Sequence, residues 1–217
     1  MSDQLCLRRI GVIGDIHAED ARLETALCFL RGQAVDMILA VGDIADGPGD
    51  LNRCCDLLRE YGVAAVRGNH ERWLRAGKMR FLPEANQDEQ ISEASWRYLT
   101  NLPVYLEFDT TAGRLLLCHG IGDNDMAAVR PWNSGDNLES VLMLDRLRRS
   151  GEYRFVVNGH THQRMVRTFA PLTMINAGTL LRRHDPCFLL ADFAAAGVQY
   201  YNLTEPDTPS PAEFIPL

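Results

Sequence analysis

The first hundred residues alternate short β-rich runs with amphipathic helical patterns, and this alternation restricts the possible folds more than any other feature of the chain. Ile10–Ile13 is a compact apolar run, Ala21–Arg31 repeats Leu23, Ala26, Leu27 and Leu30 at helical spacing, and Met37–Val41 is apolar again. A second unit follows: Leu51–Tyr61 places Leu51, Cys54, Cys55 and Leu58 on one helical face, and Val63–Val66 reads as a strand. Strands separated by helices pair in parallel through right-handed crossovers, so an α/β fold is expected. Beyond about Pro103 the rhythm changes. Val104–Phe108, Arg114–Cys118, Arg154–Val157, Met165–Phe169, Leu172–Ile175, Cys187–Phe193 and Val198–Asn202 look like short strands joined by turns, which suits a mixed or antiparallel sheet.

At 217 residues the simplest organisation is one domain, 1–217, with inserts at about 72–102 and 121–150. The first insert carries Trp73, Phe81, Trp96 and Tyr98, and either walls a substrate cleft or packs as a helical satellite. The second ends in an expected helix, Leu138–Arg149, with Leu138, Val141, Leu142 and Leu147 as its apolar face. Arg146, Arg148 and Arg149 crowd its last turn, where cations oppose the helix dipole. The tail 205–217 holds four prolines and is expected to be irregular.

The excess of 29 acidic over 22 basic residues, a formal charge of −7, argues against an extensive surface for duplex nucleic acid, but it leaves room for a local phosphate pocket. No apolar stretch is long enough to span a bilayer and the N-terminal residues lack a signal core, so no membrane association and a cytoplasmic location are expected. Six cysteines without CxxC or regular spacing read as reduced thiols, neither disulfides nor ligands.

Five of the six histidines fall in short motifs where an apolar run meets a turn: "GDIH" at 14–17, "GNHE" at 68–71, "CHG" at 118–120 and "GHTH" at 159–162. A fifth such place, Gly42-Asp43, follows "ILAV" without a histidine; only His184 lies outside. Each motif alone is explained by turn chemistry. Together they place Asp15, His17, Asp43, Asn69 and His70 beyond the carboxyl ends of neighbouring parallel strands, where open α/β sheets bind ligands. Residues two apart on extended backbone share a side, so Asp15 with His17, and His160 with His162, can each face one place. Carboxylates, an amide oxygen and imidazoles suit Mn, Fe, Zn or Ni better than a thiolate-type zinc site. Asp15, His17, Asp43, Asn69, His119, His160 and His162 are too many donors for one ion, and suffice for two if one carboxylate bridges.

The ordered series D-x-H, GD, GNHE, H, GHxH, running from residue 14 to 162, resembles the calcineurin-like metallophosphoesterase superfamily. The resemblance implies an α/β fold of two mixed β-sheets packed as a central sandwich flanked by α-helices. It also implies two divalent or mixed-valence metal ions, with Asp15, His17 and His162 on the first, Asp43 bridging, and Asn69, His119 and His160 on the second. His70 is then the imidazole that contacts the phosphate and protonates the leaving oxygen, with a helix cap as its structural alternative. Asp46 stands where the protein serine/threonine phosphatases of the superfamily carry an aspartate that orients this histidine, and Arg67 matches their phosphate-binding arginine.

"GDIADGP" departs from the "GDxVDRG" of those phosphatases, and "GHTH" ends in a histidine they usually lack. "GHTHQRMV" followed by Asn176-Ala177-Gly178-Thr179 is more similar to the small bacterial and archaeal phosphodiesterase branch, whose ligand motif is followed by a hairpin and an "NPGS"-like turn. The expected function is therefore hydrolysis of a phosphodiester or other small phosphoester by a hydroxide generated at two metals. The alternatives are a phosphomonoesterase acting on phosphoproteins or nucleotides, and a non-catalytic interaction protein of the same fold, which would show gaps in its ligand set. Asp123 and Asp125 read as a solvated acidic loop.

Overall fold

The computed structural model describes residues 6–135, 142–204 and 208–217. Two six-stranded mixed sheets pack face to face and helices cover both outer faces. The first sheet contains β2 (Arg9–Ile13), β3 (Met37–Ala40), β4 (Ala64–Ala65), β10 (Cys187–Asp192), β11 (Gly197–Asn202) and β12 (Ser210–Pro216), in the order β12-β11-β10-β2-β3-β4. The second runs β1-β5-β6-β7-β9-β8 and contains β1 (Cys6–Leu7), β5 (Tyr105–Thr110), β6 (Gly113–Cys118), β7 (Phe155–Asn158), β8 (Arg164–Phe169) and β9 (Leu172–Ala177).

The β2, β3 and β4 strands are parallel, as the alternating pattern requires, with α1 (Asp20–Arg31) and α2 (Leu51–Glu60) as the crossovers. Side-chain alternation along each strand feeds two cores. Leu7, Ile10, Val12, Leu39 and Val41 meet Leu115, Leu117, Phe155, Val157 and Ile175 between the sheets. On the outer face of the first sheet, Ile13, Ile38, Ala40 and Phe188 pack with Leu23, Ala26, Leu27 and Leu30 of α1 and with Cys54, Cys55 and Leu58 of α2. Each fully buried Leu, Ile or Val contributes about 1.5–3 kcal/mol relative to exposure. The same apolar drive buries four of the six cysteines, and all six are free thiols.

Four features differ from the sequence expectation. The late strands do not form a sheet of their own with β5–β9: β10 pairs antiparallel with β2, Phe188 opposite Ile13, so β10–β12 extend the parallel sheet. The tail is not wholly irregular, because Ser210–Pro216 pairs antiparallel with β11 around a register shift. Its prolines are accommodated because the strand lies at a sheet edge, where one side of the backbone needs no partner. Within the second insert, α5 (Leu142–Ser150) buries Leu144 and packs Met143 and Leu147, while Leu142 is 69% exposed. Leu138 and Val141 lie outside the described residues. The first insert divides: Trp96 and Tyr98 of α4 (Glu93–Thr100) pack on the core below α2, whereas Trp73 of α3 (Asn69–Arg75) lies with its ring 4.9 Å from that of His70.

Candidate metal centre

Five strand ends deliver the candidate ligands to one place. Asp15 and His17 follow β2, Asp43 follows β3, Asn69 opens α3 after β4, His119 follows β6, and His160 and His162 follow β7. The histidine pairs do not converge by strand alternation. His17, Asp43, His160 and His162 have φ of 48°, 45°, 67° and 60°, left-handed conformations that cost a non-glycine residue of order 1–3 kcal/mol each. Backbone hydrogen bonds between loops hold them: Ile16 and His17 N–H both donate to the Asp43 carbonyl, at 2.9 and 2.8 Å. Gly159 therefore does not supply the turn; His160 and His162 do. The glycine is needed for close approach, since a Cβ there would lie 2.5 Å from Asp15 Oδ1 and 2.4 Å from Val41 Cγ2.

The Asn176–Thr179 turn braces the same loops. Asn176 Nδ2 donates to the Gly159 carbonyl at 2.6 Å and to Thr161 Oγ1 at 3.1 Å, while Thr179 Oγ1 donates to the Asp15 carbonyl at 2.8 Å.

The imidazoles are oriented by their second nitrogens. His17 Nδ1 donates to the Asp46 carbonyl at 2.9 Å and His119 Nδ1 to the Val41 carbonyl at 2.8 Å. A carbonyl only accepts, so in the neutral rings Nε2 is the bare nitrogen, the arrangement usual for metal-ligating histidines. His17 Nε2 lies 3.0 Å from His162 Nε2, which in turn is 3.5 Å from Asp15 Oδ2. His119 Nε2 lies 3.0 Å from Asn69 Oδ1 and 3.2 Å from Asp43 Oδ2. Two sets of donor atoms result, each within 4.8 Å: His17, Asp43 and His162, and Asp43, His119 and His160. Asp43 belongs to both.

These atoms fit a cation. Asp15 Oδ2 is buried without any hydrogen-bond partner, an orphan that a positive ion would satisfy. Burial pushes the Asp15 carboxyl up to about 7, opposed by His119 and reinforced by the charge of Asp43. Burial also works to raise Asp43, but His119, by charge and hydrogen bond, together with His70 and His17, holds it well below the usual carboxylate range. Burial works to lower His119, yet the two carboxylates carry it up to about 10. Burial lowers His17 and His160, and brings His162 down to about 3, with His17 adding to the effect. The carboxylates thus draw positive charge into a site whose other imidazoles stay neutral, the form that binds metal.

Beside this cluster His70 Nδ1 bonds Asp46 Oδ2 at 2.8 Å, and His70 Nε2 lies 3.9 Å from Asp43 Oδ2. Burial opposes protonation of His70, but the hydrogen bond that it donates to Asp46, with the charge of Asp43, prevails and raises its pKa. Arg67 is half-buried just before the Gly68 cap of α3, and its guanidinium makes no hydrogen bond or ion pair among the described residues. Asp125 is no solvated acid: Arg72 grips both its oxygens, at 2.6 and 2.9 Å, while Asp123 is exposed. His184, outside every motif, sets its ring 4.8 Å from that of His162.

Two residues with larger structural consequences were not singled out from sequence. Glu71 is buried and accepts from the backbone N–H of Asp43, Ile44, Ala45 and Gly68 at 2.7–3.0 Å. Its signal was local, a glutamate at the third position of a helix, which reaches back to the cap. Arg80 forks onto Asp46 at 2.8 and 2.7 Å and left no such signal.

Residues 9–195 match the calcineurin-like phosphoesterase superfamily domain. The serine/threonine-protein phosphatase 1 of Salmonella typhimurium is 29% identical over 194 residues, covering 80% of this chain and 88% of that protein. Among solved structures, a metallophosphoesterase from Sphaerobacter thermophilus has a TM-score of 0.64 at 20% identity, over 89% of this chain and 87% of that one. An archaeal phosphodiesterase has a TM-score of 0.58 at 14% identity, over 90% and 99%. At these identities the two structures speak for the fold alone. The domain match, by contrast, spans every strand end that delivers a candidate ligand, and this chain belongs to the calcineurin-like phosphoesterase superfamily.

Proposed function

We propose that the chain hydrolyses a phosphodiester, or another small phosphoester, at a pair of divalent metal ions. The observation that carries this reading is the sharing of Asp43 by two donor sets, with a non-ligand imidazole, His70, 3.9 Å from the shared carboxylate. Asp15, His17 and His162 would hold one ion and Asn69, His119 and His160 the other, with Asp43 available to both; the donor chemistry suits Mn, Fe, Zn or Ni. Bound ions supply Lewis acidity and neutralise phosphate charge.

The rest of the chemistry falls to the chain's own groups. Asp46 accepts the hydrogen bond from His70 Nδ1–H and favours the protonated ring, whose Nε2–H faces the metal ligands and passes its proton to the departing oxygen. Arg67, whose guanidinium has no other partner among the described residues, holds non-bridging phosphate oxygens. A groove of about 550 Å³, lined by Trp132, His162, Gln163, Arg164 and Asn202, opens beside the cluster and has room for an organic substituent on phosphorus. No helix among the described residues is long and apolar enough to cross a membrane.

A second reading, phosphomonoester hydrolysis, is favoured by the relative named as a protein phosphatase. Metal analysis beside turnover of bis(p-nitrophenyl) phosphate and p-nitrophenyl phosphate on one preparation separates them. Two metals per chain with preference for the diester is the expected result. Preference for the monoester selects the second reading, and a metal-loaded chain that cleaves neither overturns both.

A further inference from the structure

We infer that Arg80, reaching in from the 72–102 insert, positions the Asp46–His70 pair for proton delivery to the leaving group. The inference rests on the proposed role of His70. Arg80 Nη1 donates to Asp46 Oδ1 at 2.8 Å and Nη2 to Asp46 Oδ2 at 2.7 Å, the two-pronged geometry that fixes a carboxylate plane. The guanidinium is itself held, by Nε to the Lys78 carbonyl and by Nη1 to the Asn86 carbonyl, both at 2.9 Å. Asn86 closes the frame: its N–H donates to Asp46 Oδ1 at 3.0 Å and its Oδ1 accepts from Asp46 N–H at 2.7 Å.

Each oxygen of Asp46 therefore has two donors, and one of them, on Oδ2, is His70 Nδ1. The carboxylate side chain is 2% exposed and that of Arg80 16%, so water is a poor substitute for the fork. With Arg80 removed, each Asp46 oxygen keeps a single donor, His70 on Oδ2 and the Asn86 N–H on Oδ1, so the carboxylate plane is held less firmly and the imidazole is aimed less sharply. The fork is spent on Asp46, which sets Arg80 apart from a phosphate-binding arginine. The insert thus bears on the reaction through a side chain 34 residues distant from its partner.

The test uses metal-loaded chain and two esters differing in leaving group, bis(p-nitrophenyl) phosphate and diphenyl phosphate, or the matching monoesters if those are preferred. Arg80→Met is expected to lower kcat on the phenyl ester by roughly 10- to 100-fold, part of the 10²–10⁴ that general acid catalysis contributes. The nitrophenyl ester, whose leaving group needs little protonation, should be far less affected, with KM and metal content unchanged. Adding Arg80→Met to His70→Ala should cost nothing more. Arg80→Lys, which keeps the charge but not the fork, should fall between, and it carries the test if the methionine variant does not fold. The downfield Nδ1 proton resonance expected for His70 in the parent should move upfield and exchange faster with solvent in Arg80→Met.

An equal fall on both esters, a rise in KM with kcat kept, or additivity with His70→Ala overturns the inference. If His70→Ala is selective for the poor leaving group and the Arg80 variants are not, the inference alone fails. If His70→Ala shows no selectivity, the proton-donor reading fails and Arg80's role with it.

Discussion

His17 and His162 turn their Nε2 atoms toward each other at 3.0 Å, although 145 residues separate them. His17 donates its only neutral-state N–H to the Asp46 carbonyl, and burial keeps both rings uncharged, so the lone pair of His17 is directed at its neighbour. A cation shared by the two nitrogens would resolve that opposition. His160 instead stands with its ring 5.2 Å from that of His119, on the other side of Asp43. If the proposed pair of ions is bound, His162→Ala and His160→Ala should each reduce metal content from two ions per chain to one, with different ions lost. Elemental analysis after dialysis against limiting metal measures this, and loss of both ions, or of neither, in the two variants would contradict it.

Asp43→Asn should be more damaging than either histidine change, because Asp43 alone belongs to both donor sets. Outer partners of metal ligands are worth about 10- to 100-fold in affinity or activity, and a bridging carboxylate should exceed that range. Turnover and metal content measured on the same sample are the check. Full occupancy with full turnover in Asp43→Asn would remove the basis for a shared carboxylate.

Glu71 makes a purely structural prediction. Oε1 takes the N–H groups of Ile44 and Ala45, and Oε2 those of Asp43 and Gly68. In Glu71→Gln one of these pairs must face an amide NH₂, whichever way the amide is turned. Two buried donors lose their acceptor at a cost of about 3 kcal/mol. For a chain of this size that lowers Tm by roughly 6–12 °C, read by calorimetry on metal-free protein. An unchanged Tm would mean that the Asp43 loop does not depend on this carboxylate.

Much of this architecture was legible because apolar periodicity and burial are two descriptions of one pattern. Leu23, Ala26, Leu27 and Leu30 had to face a sheet, and the motifs had to sit at strand ends. What escaped has physical causes. Left-handed φ is uncommon for any non-glycine residue, and at His160 and His162 no local pattern announces it. The prolines of β12 hide an edge strand, and the Arg80–Asp46 pair joins distant segments with no periodicity between them. Each is fixed by tertiary contacts that local sequence does not encode.

The same pair makes a pH prediction. Burial works to raise Asp46, but hydrogen bonds from His70, Arg80 and Asn86 bring its pKa below the usual value. A depressed carboxylate adds stability that is fully present above its unfolded pKa, about 3.9, and that is lost as pH falls through the folded value. Arg80→Met removes one of the depressing contacts. Its Tm deficit against the parent should thus be largest at neutral pH and shrink below about pH 4 as Asp46 is protonated in both proteins. Taking the difference cancels groups common to the two chains. A deficit that grows on acidification would reverse the sign and reject this account of Asp46.

Gly159→Ala separates close approach from backbone strain, because Gly159 is not among the positive-φ residues and alanine suits its backbone. The added methyl would lie 2.5 Å from Asp15 Oδ1 and 2.4 Å from Val41 Cγ2, closer than real contacts allow. Val41 is buried between the sheets and cannot withdraw, so the displacement falls on the Asp15 carboxylate or on the loop carrying His160 and His162. Either movement disturbs the donor set around Asp15 first, while His119 and Asn69 stay anchored by Val41 O and α3. Metal affinity should fall about 10- to 100-fold at one site and less at the other. Titration of metal-free protein with Zn²⁺ against a competing chelator resolves two affinities. A variant that binds both ions as tightly as the parent would show that the absent side chain at 159 is not what admits Asp15 to the cluster.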